Sequence, residues 1–472
     1  MVTCFGVRTS RLHWIVSFSI CTVLFVLDAA RLSAAAPPDR HLVIVSIDGF
    51  AAYLLNDPKA PVPEIRRLAR EGVVVDGGMR VSNPSVTWPN HTTLVTGVRP
   101  EKHGVLANGV LVRGAAEVPV IVDPKKDKQD LVRVTTLYDL AHAAGLTTAD
   151  VNWPCTRGSA SLDDSFPDAP EQVTHMTARL REELIKKGIL ADATDKSFAA
   201  NSAVGRDLIW TETACHIIRE RKPNLLLLHL LNVDGTHHAE GPQTAPGYTA
   251  NGYADMCLAR VLVAIDQVGI RNQTTVFVVA DHGFTLTPQA VRPNVVLRQQ
   301  GLLTVGSGGK ITTAKVHVVP EGGIGLVYCT DPGSAAADRK RVQELLSGQE
   351  GIAAVLGPDQ FAEYGLPHPR EYSQAPDLVV VAKDGYGVSG SAEGDTFVAP
   401  GPEARVPAGS HGFVSTEAKM NAVCVLSGKG IRSGRHLPAA ENIDIAPTAA
   451  LLLGLTGLPA DGRVLVDALT EN

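Results

Sequence analysis

The chain has 472 residues, 44% of them hydrophobic and 19% charged, with a formal net charge of −6. That is globular composition, with room for one large α/β domain or two to three smaller ones. The acidic balance argues against a basic surface that would bind nucleic-acid backbones, and no repeat or long run of like charge is present.

At the N-terminus, Arg8 and Arg11 precede an apolar run from Trp14 to Leu27. Asp28 ends the run, and Ser33-Ala34-Ala35-Ala36 follows. A charged start, a short apolar stretch and a small-residue end read as a cleavable secretory signal over residues 1–36. Its apolar part, about 14 residues, is shorter than the roughly 20 that a spanning helix needs, so no membrane span is expected after cleavage. The expected protein is exported, periplasmic or secreted, with one domain over residues 37–472. Without the signal the net charge falls to near −8, because three arginines (Arg8, Arg11, Arg31) and Asp28 leave with it. The remaining cysteines, Cys155, Cys215, Cys257, Cys329 and Cys424, are odd in number and widely spaced. They form no CxxC metal site, and one or two disulfides remain open.

Along the chain, apolar runs with the look of strands buried on both faces alternate with helical patterns. Leu42 to Ile47 ends at Asp48-Gly49, and Val62 to Glu71 has helical spacing. Leu137 to Ala144 is a second helix. Asn224 to Leu231 ends near Asp234, and a helix over Gly252 to Val268 follows. Thr274 to Ala280 ends at Asp281-His282-Gly283. Ala335 to Ser347 is helical, and Leu378 to Ala382 and Ala422 to Leu426 are further strands. Such alternation predicts an α/β layered fold.

Three of these strands deliver an aspartate at or just past their C-terminal ends: Asp48, Asp234 and Asp281. Ligands of open α/β sheets bind there. One such aspartate is an ordinary turn residue or helix cap; three, two of them with histidine neighbours, are a pattern. Asp234 and His238 are four apart and share a face if the segment is helical. Asp281 and His282 are adjacent, and His411 lies in a glycine-flanked loop. Carboxylate and imidazole are ligands that divalent transition metals accept, zinc especially. Two such ions about 3.5–4 Å apart would clamp the attacking and leaving oxygens of a displacement at phosphorus. In Val86-Thr87-Trp88-Pro89-Asn90-His91, Pro89 suits a first helical turn. That puts Thr87 at a helix N-terminus, where free N–H groups favour negative charge. By itself this segment reads better as an N-cap threonine with no chemistry.

Taken together, these residues resemble the nucleotide pyrophosphatase/phosphodiesterase branch of the alkaline phosphatase superfamily. Asp48 in Ser46-Ile47-Asp48-Gly49-Phe50 matches the family's first aspartate. Thr87-Trp88-Pro89-Asn90-His91 matches its nucleophile segment, and Pro100-Glu101-Lys102-His103-Gly104 and Asn108 follow in order. Asp234 to Pro242, Asp281 to Gly283, His411, Asp444 to Thr448, Leu453 to Leu455 and Asp461 to Arg463 complete the set, from about residue 41 to 465. The resemblance implies a three-layer sandwich, its mostly parallel central sheet covered by helices on both faces. It also implies two divalent ions, taken as Zn2+. Asp234, His238 and His411 would hold one. Asp48, Asp281 and His282 would hold the other, with Thr87 bridging toward it. The implied activity is hydrolysis of a small phosphodiester or pyrophosphate through a phospho-threonine, with Asn108 and the Thr87 N–H on the phosphoryl oxygens.

The chain departs from the pattern in places. His237 replaces a glycine and is expected to face solvent, and Cys155 replaces the glycine of Trp-Pro-Gly. Trp153 reads as a substrate-pocket wall or a buried aromatic, and Arg157 as a candidate phosphate-side cation. His229, inside an apolar run, is expected to be a satisfied core histidine. Asn90-His91-Thr92 and Asn272-Gln273-Thr274 fit glycosylation triplets by chance. A phosphomonoesterase of the same superfamily and a non-catalytic exported binding protein stand as alternatives. A sulfatase is disfavoured because no Cys- or Ser-x-Pro-x-Arg segment stands at the nucleophile position.

Overall fold

The most apolar run, Leu225–Leu230, holds five leucines and one histidine, all buried, and forms a strand covered on both faces. In the computed structural model the described residues are 39–471, and the segment read as a secretory signal lies outside them. The run is the fifth strand in chain order of an eight-stranded sheet. Its members are β1 (His41–Ile47), β2 (Val73–Val75), β3 (Thr148–Pro154), β4 (Asp164–Asp168), β5 (Leu225–Leu230), β6 (Thr274–Val279), β7 (Cys424–Gly428) and β8 (Arg435–Leu437). The spatial order is β8-β2-β7-β6-β1-β5-β3-β4. Pairings are parallel throughout except where β7 meets β2 and β6. The run expected over Ala422 to Leu426 is therefore real but reversed in direction.

Helices pack on the sheet in two groups. α1 (Pro63–Glu71), α4 (Ala203–Arg221) and α6 (Ala245–Gln267) form one layer. α2 (Thr87–Thr96), α3 (Leu137–Ala143) and α7 (Ile445–Leu452) form the other, and α5 (Asn232–Glu240) sits against α6 past the end of β5. This is the three-layer α/β sandwich expected from the motifs. α6 begins seven residues before the expected Gly252. Its start, Ala245-Pro246-Gly247, has turn composition, but Thr244 accepts the Gly247 N–H and Pro246 occupies the first turn, a helix start of ordinary chemistry.

Leu378–Ala382 needs a correction. It belongs to a separate four-stranded antiparallel sheet with Val316–Glu321, Ile324–Cys329 and Ile352–Leu356. Val379 and Val381 face a small core with Leu106, Leu326 and Phe361, while Leu378, Val380 and Ala382 face the main core. A strand buried on both faces shows no alternation, so its pattern does not reveal which sheet it joins. Cys155, Cys215, Cys257, Cys329 and Cys424 are free and buried, so none of the described cysteines pairs. No helix among the described residues is long and apolar enough to cross a membrane.

Candidate active site

The carboxyl ends of three adjacent strands, β6, β1 and β5, converge on one crevice. β1 ends directly before Asp48, β6 shortly before Asp281-His282, and β5 leads into α5, which carries Asp234 and His238 on successive turns. α5 starts where it does because Asp207 of α4 accepts the Leu231 and Asn232 N–H groups at 2.8 and 3.1 Å. These are donors that a helix start leaves unpaired. Gly283 is needed for a close approach: a Cβ there would lie 1.9 Å from the Lys419 carbonyl oxygen.

Two overlapping groups of ligand atoms result. Asp234, His238 and His411 offer atoms within 4.8 Å of one another, and so do Asp48, Asp234 and His282. Asp234 Oδ1 lies 3.4 Å from His238 Nε2 and 3.8 Å from His411 Nε2. His282 Nε2 lies 3.3 Å from Asp48 Oδ1 and 3.1 Å from Asp281 Oδ2. Asp234 thus joins both groups. Asp281, expected in the second, adjoins it through Oδ2, while its Oδ1 accepts the Gly49 N–H at 3.1 Å.

Each of the three imidazoles turns Nδ1 to a backbone carbonyl: His238 to Gly409, His282 to Gly283 and His411 to Ser85, at 2.9, 3.1 and 3.0 Å. A proton on Nδ1 serves those carbonyls and leaves the Nε2 lone pair facing inward, the arrangement that orients metal-binding histidines. Burial, then the neighbouring imidazoles, depress two of these rings: His282 is driven well below the usual range and His411 down to about 4. Burial raises the Asp48 and Asp281 carboxyls far above the usual range, helped by the charge of Asp234 at Asp48 and by that of Asp48 at Asp281. Asp48 Oδ1, Asp234 Oδ1, Asp281 Oδ2 and His282 Nε2 are buried without any hydrogen-bond partner. Convergent carboxylates and lone pairs of this kind are costly unless a cation is shared among them. The residues fit divalent metal.

Thr87 opens α2 and is 8% exposed. Of the first amides, Trp88 N–H donates to Asn108 Oδ1 at 2.9 Å, Pro89 has none, and Asn90 N–H returns to Val86. The Thr87 N–H is the one not engaged within this turn, and Asn108, pinned by its oxygen, is exposed beside it. The segment is tied to the ligand crevice from both sides. Ser85 just before it accepts from His411. His91, one turn later, has Nδ1 2.9 Å from the Thr87 carbonyl oxygen and 3.6 Å from Asp281 Oδ2. Asn90 is buried with all its bonds made: Oδ1 accepts from Ser82 and Asn442, and Nδ2 donates to Pro84 and Val86. It shapes the loop into the helix and is no glycosylation site.

Other residues fall elsewhere. Trp153 is fully buried and packs edge-on against His91, centroids 4.8 Å apart, so it walls no open pocket. Arg157 is engaged internally: Nε donates to Asp127 at 2.6 Å and Nη2 to the Lys125 carbonyl at 2.8 Å. His237 does not face solvent. It is buried against Phe284, because α5 turns that side toward the fold, and neither ring nitrogen has a partner. Cys155 holds φ of 58°, the left-handed conformation that glycine adopts freely. His229 is indeed a bonded core histidine, with Nε2 3.0 Å from Asp48 Oδ2. Asp207 and the Trp88–Asp168 bond of 3.1 Å leave no signal in the sequence, since their partners are remote in it.

A doubly wound sheet whose strand ends gather two overlapping Asp/His groups beside a helix-borne threonine defines a class of α/β metal-site protein. The family model for type I phosphodiesterase / nucleotide pyrophosphatase matches residues 42–414, and the chain belongs to that family. It is 22% identical over 460 residues to human ectonucleotide pyrophosphatase/phosphodiesterase family member 5, covering 93% of this chain and 80% of that protein. It is 24% identical over 265 residues to the venom phosphodiesterase of Macrovipera lebetinus, covering 54% of this chain and only 27% of that protein. The fold is that of murine ectonucleotide pyrophosphatase/phosphodiesterase 5, with a TM-score of 0.66 and 19% identity over 91% of this chain and all of the murine chain. An inactive variant of that murine protein has been solved in complex with AMP.

Proposed function

We propose that the protein is an exported, metal-dependent hydrolase of small phosphodiesters or pyrophosphates, with Thr87 as its nucleophile. One observation carries the reading: four buried ligand atoms without partners, on Asp48, Asp234, Asp281 and His282, converge beside a threonine at a helix N-terminus. Asp234, His238 and His411 would hold one divalent ion, and Asp48, Asp281 and His282 the other, with zinc suited to this ligand set. When bound, the ions supply charge stabilisation at phosphorus and lower the pKa of a coordinated hydroxyl.

The chain's own groups do the rest. Thr87 Oγ1 attacks phosphorus as its proton leaves to solvent, and the bond from phosphorus to the leaving oxygen breaks. Water then attacks the phospho-threonine, the Oγ1–P bond breaks, and Oγ1 regains a proton. The Thr87 N–H and the Asn108 amide donate to the phosphoryl oxygens, where charge accumulates. The Nδ1 anchors of His238, His282 and His411 hold the ligand rings still while this happens.

A diester is preferred over a monoester, because the extra charge of a monoester dianion calls for a free cation. Arg157, the candidate, is tied to Asp127. The AMP complex of the murine neighbour supports a nucleotide-like substrate. Turnover of bis-p-nitrophenyl phosphate against p-nitrophenyl phosphate, with and without EDTA, tests the proposal. The expected result is diester preference abolished by chelator; activity intact in EDTA, with no metal found in the protein, overturns it.

A further inference from the structure

β5 reads Leu-Leu-Leu-Leu-His-Leu, and all six side chains are buried. A fifth consecutive leucine would continue the apolar pattern at position 229, so the imidazole there must answer to its neighbours. It meets three. Nε2 lies 3.0 Å from Asp48 Oδ2. Nδ1 lies 2.9 Å from the Asn152 carbonyl oxygen and 3.3 Å from Asn152 Nδ2. The ring face lies 4.2 Å from that of His91, at a tilt of 52°. The sheet register makes this reach natural, since His229 pairs with Ser46, two residues before Asp48 on β1.

The two oxygens of Asp48 are thereby given different environments. Oδ2 faces His229, while Oδ1 has no partner and faces His282. When Nδ1 accepts from the Asn152 amide, the neutral ring carries its proton on Nε2 and gives it to Asp48; when Nδ1 donates to the Asn152 carbonyl, Nε2 donates only from the imidazolium. Asn152 is fixed in turn. Its φ is 58°, and its Oδ1 accepts from Gln172 Nε2 at 3.0 Å. The same Gln172 nitrogen contacts Asp168 Oδ1 at 3.2 Å, and Asp168 Oδ2 accepts from Trp88 Nε1 at 3.1 Å. Trp88 is the neighbour of Thr87. The chain Asp48–His229–Asn152–Gln172–Asp168–Trp88 thus runs from a metal-site carboxylate to the nucleophile turn, and His91 gives a second route through the Thr87 carbonyl.

We propose that His229 is a positioning residue: its Nε2–H fixes Asp48 Oδ2, reserves Oδ1 for the cation, and braces that carboxylate against the helix that carries Thr87. The inference rests on the two-ion reading above. It would not follow from a histidine that merely fills the core, because a filler has no need of a bond to Asp48.

The test compares wild type, His229→Leu and His229→Gln in the full chain. Zn2+ affinity of the metal-stripped protein is measured by competition with a chromophoric chelator, and long-range 15N–1H spectra follow the His229 ring. Loss of such a supporting bond weakens metal binding by roughly 10- to 100-fold. His229→Leu is expected to weaken one of two Zn2+ equivalents by that factor, leaving the other near wild type. His229→Gln, which keeps an N–H donor, should recover part of the loss. In metal-free wild type the His229 Nε2 proton should be visible, and should shift in Asp48→Asn. A folded His229→Leu protein that binds both ions as wild type does, or an Nε2 signal indifferent to Asp48→Asn, overturns the proposal. If His229→Leu fails to fold, the Gln variant and the Nε2 signal decide. Wild type that binds no Zn2+ at all overturns the two-ion reading instead, and the Nε2 signal then judges the bond to Asp48 by itself.

Discussion

The crevice at the ends of β1, β5 and β6 and the corner at residues 152–157 look alike in the sequence, each holding polar or aromatic residues after a strand. In three dimensions they are opposites. At the crevice, ligand atoms of Asp48, Asp234, Asp281 and His282 are buried with nothing to bond to. At the corner, the polar side chains of Asn152 and Arg157 are occupied. Asn152 bonds His229 and Gln172; Arg157 bonds Asp127 and the Lys125 carbonyl. Thr156 bonds Asp150. Native interiors rarely leave polar atoms unpaired, so a concentrated set of them marks where something else binds. Apart from the Trp153 indole N–H, buried without a partner, the polar side chains of the corner are satisfied, and such a corner is architecture.

Breaking the crevice should have the largest consequence at Thr87. Thr87→Ala removes the attacking hydroxyl but no metal ligand side chain of the Asp/His groups. Turnover should fall on the order of 10³-fold or more, about 4 kcal/mol of barrier, with metal content near wild type. Thr87→Ser should retain measurable activity. Wild-type rates in Thr87→Ala would leave an attacking water as the better reading.

The shared carboxylate gives the next comparison. Asp234 belongs to both ligand groups, whereas His238 belongs to one. Asp234→Ala should lower the occupancy of both ions, while His238→Ala should mainly empty one. Metal per protein, measured by mass spectrometry after dialysis, separates them. Equal losses in the two variants would mean that the sites are not joined through Asp234.

How much of this the sequence discloses follows from where each partner lies. Asp48, Asp281 and His282 are legible because a strand pattern runs straight into them, and Asp234 and His238 because a helical spacing joins them. His237 shares that spacing, yet its direction depends on how α5 rolls against Phe284, which no local pattern records. Asp207 is illegible for a related reason: it answers to a helix start 24 residues on. The second sheet escapes because Leu378–Ala382 is buried on both faces wherever it is placed.

Asp207 turns that remote dependence into a smaller expected effect. Its carboxyl receives two N–H groups at the start of α5, and burial pushes it up to about 6. Asp207→Ala leaves both donors unsatisfied in a buried place and should cost about 1–3 kcal/mol of stability. Because α5 carries Asp234 and His238, metal affinity should fall with it. Denaturant unfolding of the metal-free protein isolates the first effect. Unchanged stability there would mean that the helix start is held by other contacts.

Arg157 should give the smallest effect, and it decides what the corner is for. Its guanidinium is 12% exposed and its partner Asp127 38%, so the pair is partly solvated and is worth on the order of 1 kcal/mol or less. If the corner is architectural, Arg157→Ala loses only that, and the ratio of kcat/KM for bis-p-nitrophenyl phosphate to that for p-nitrophenyl phosphate stays within about twofold, a few tenths of a kcal/mol. If the arginine instead leaves Asp127 to meet the second charge of a monoester, its removal should penalise the monoester alone, and the ratio should climb by tenfold or more. Asp127→Asn separates the two cases further. Loosening the arginine should do nothing to an architectural corner, whereas it should release the cation toward the phosphate and raise monoester turnover in the other. A tenfold shift in either variant would return Arg157 to the substrate side and make the site that of a monoesterase.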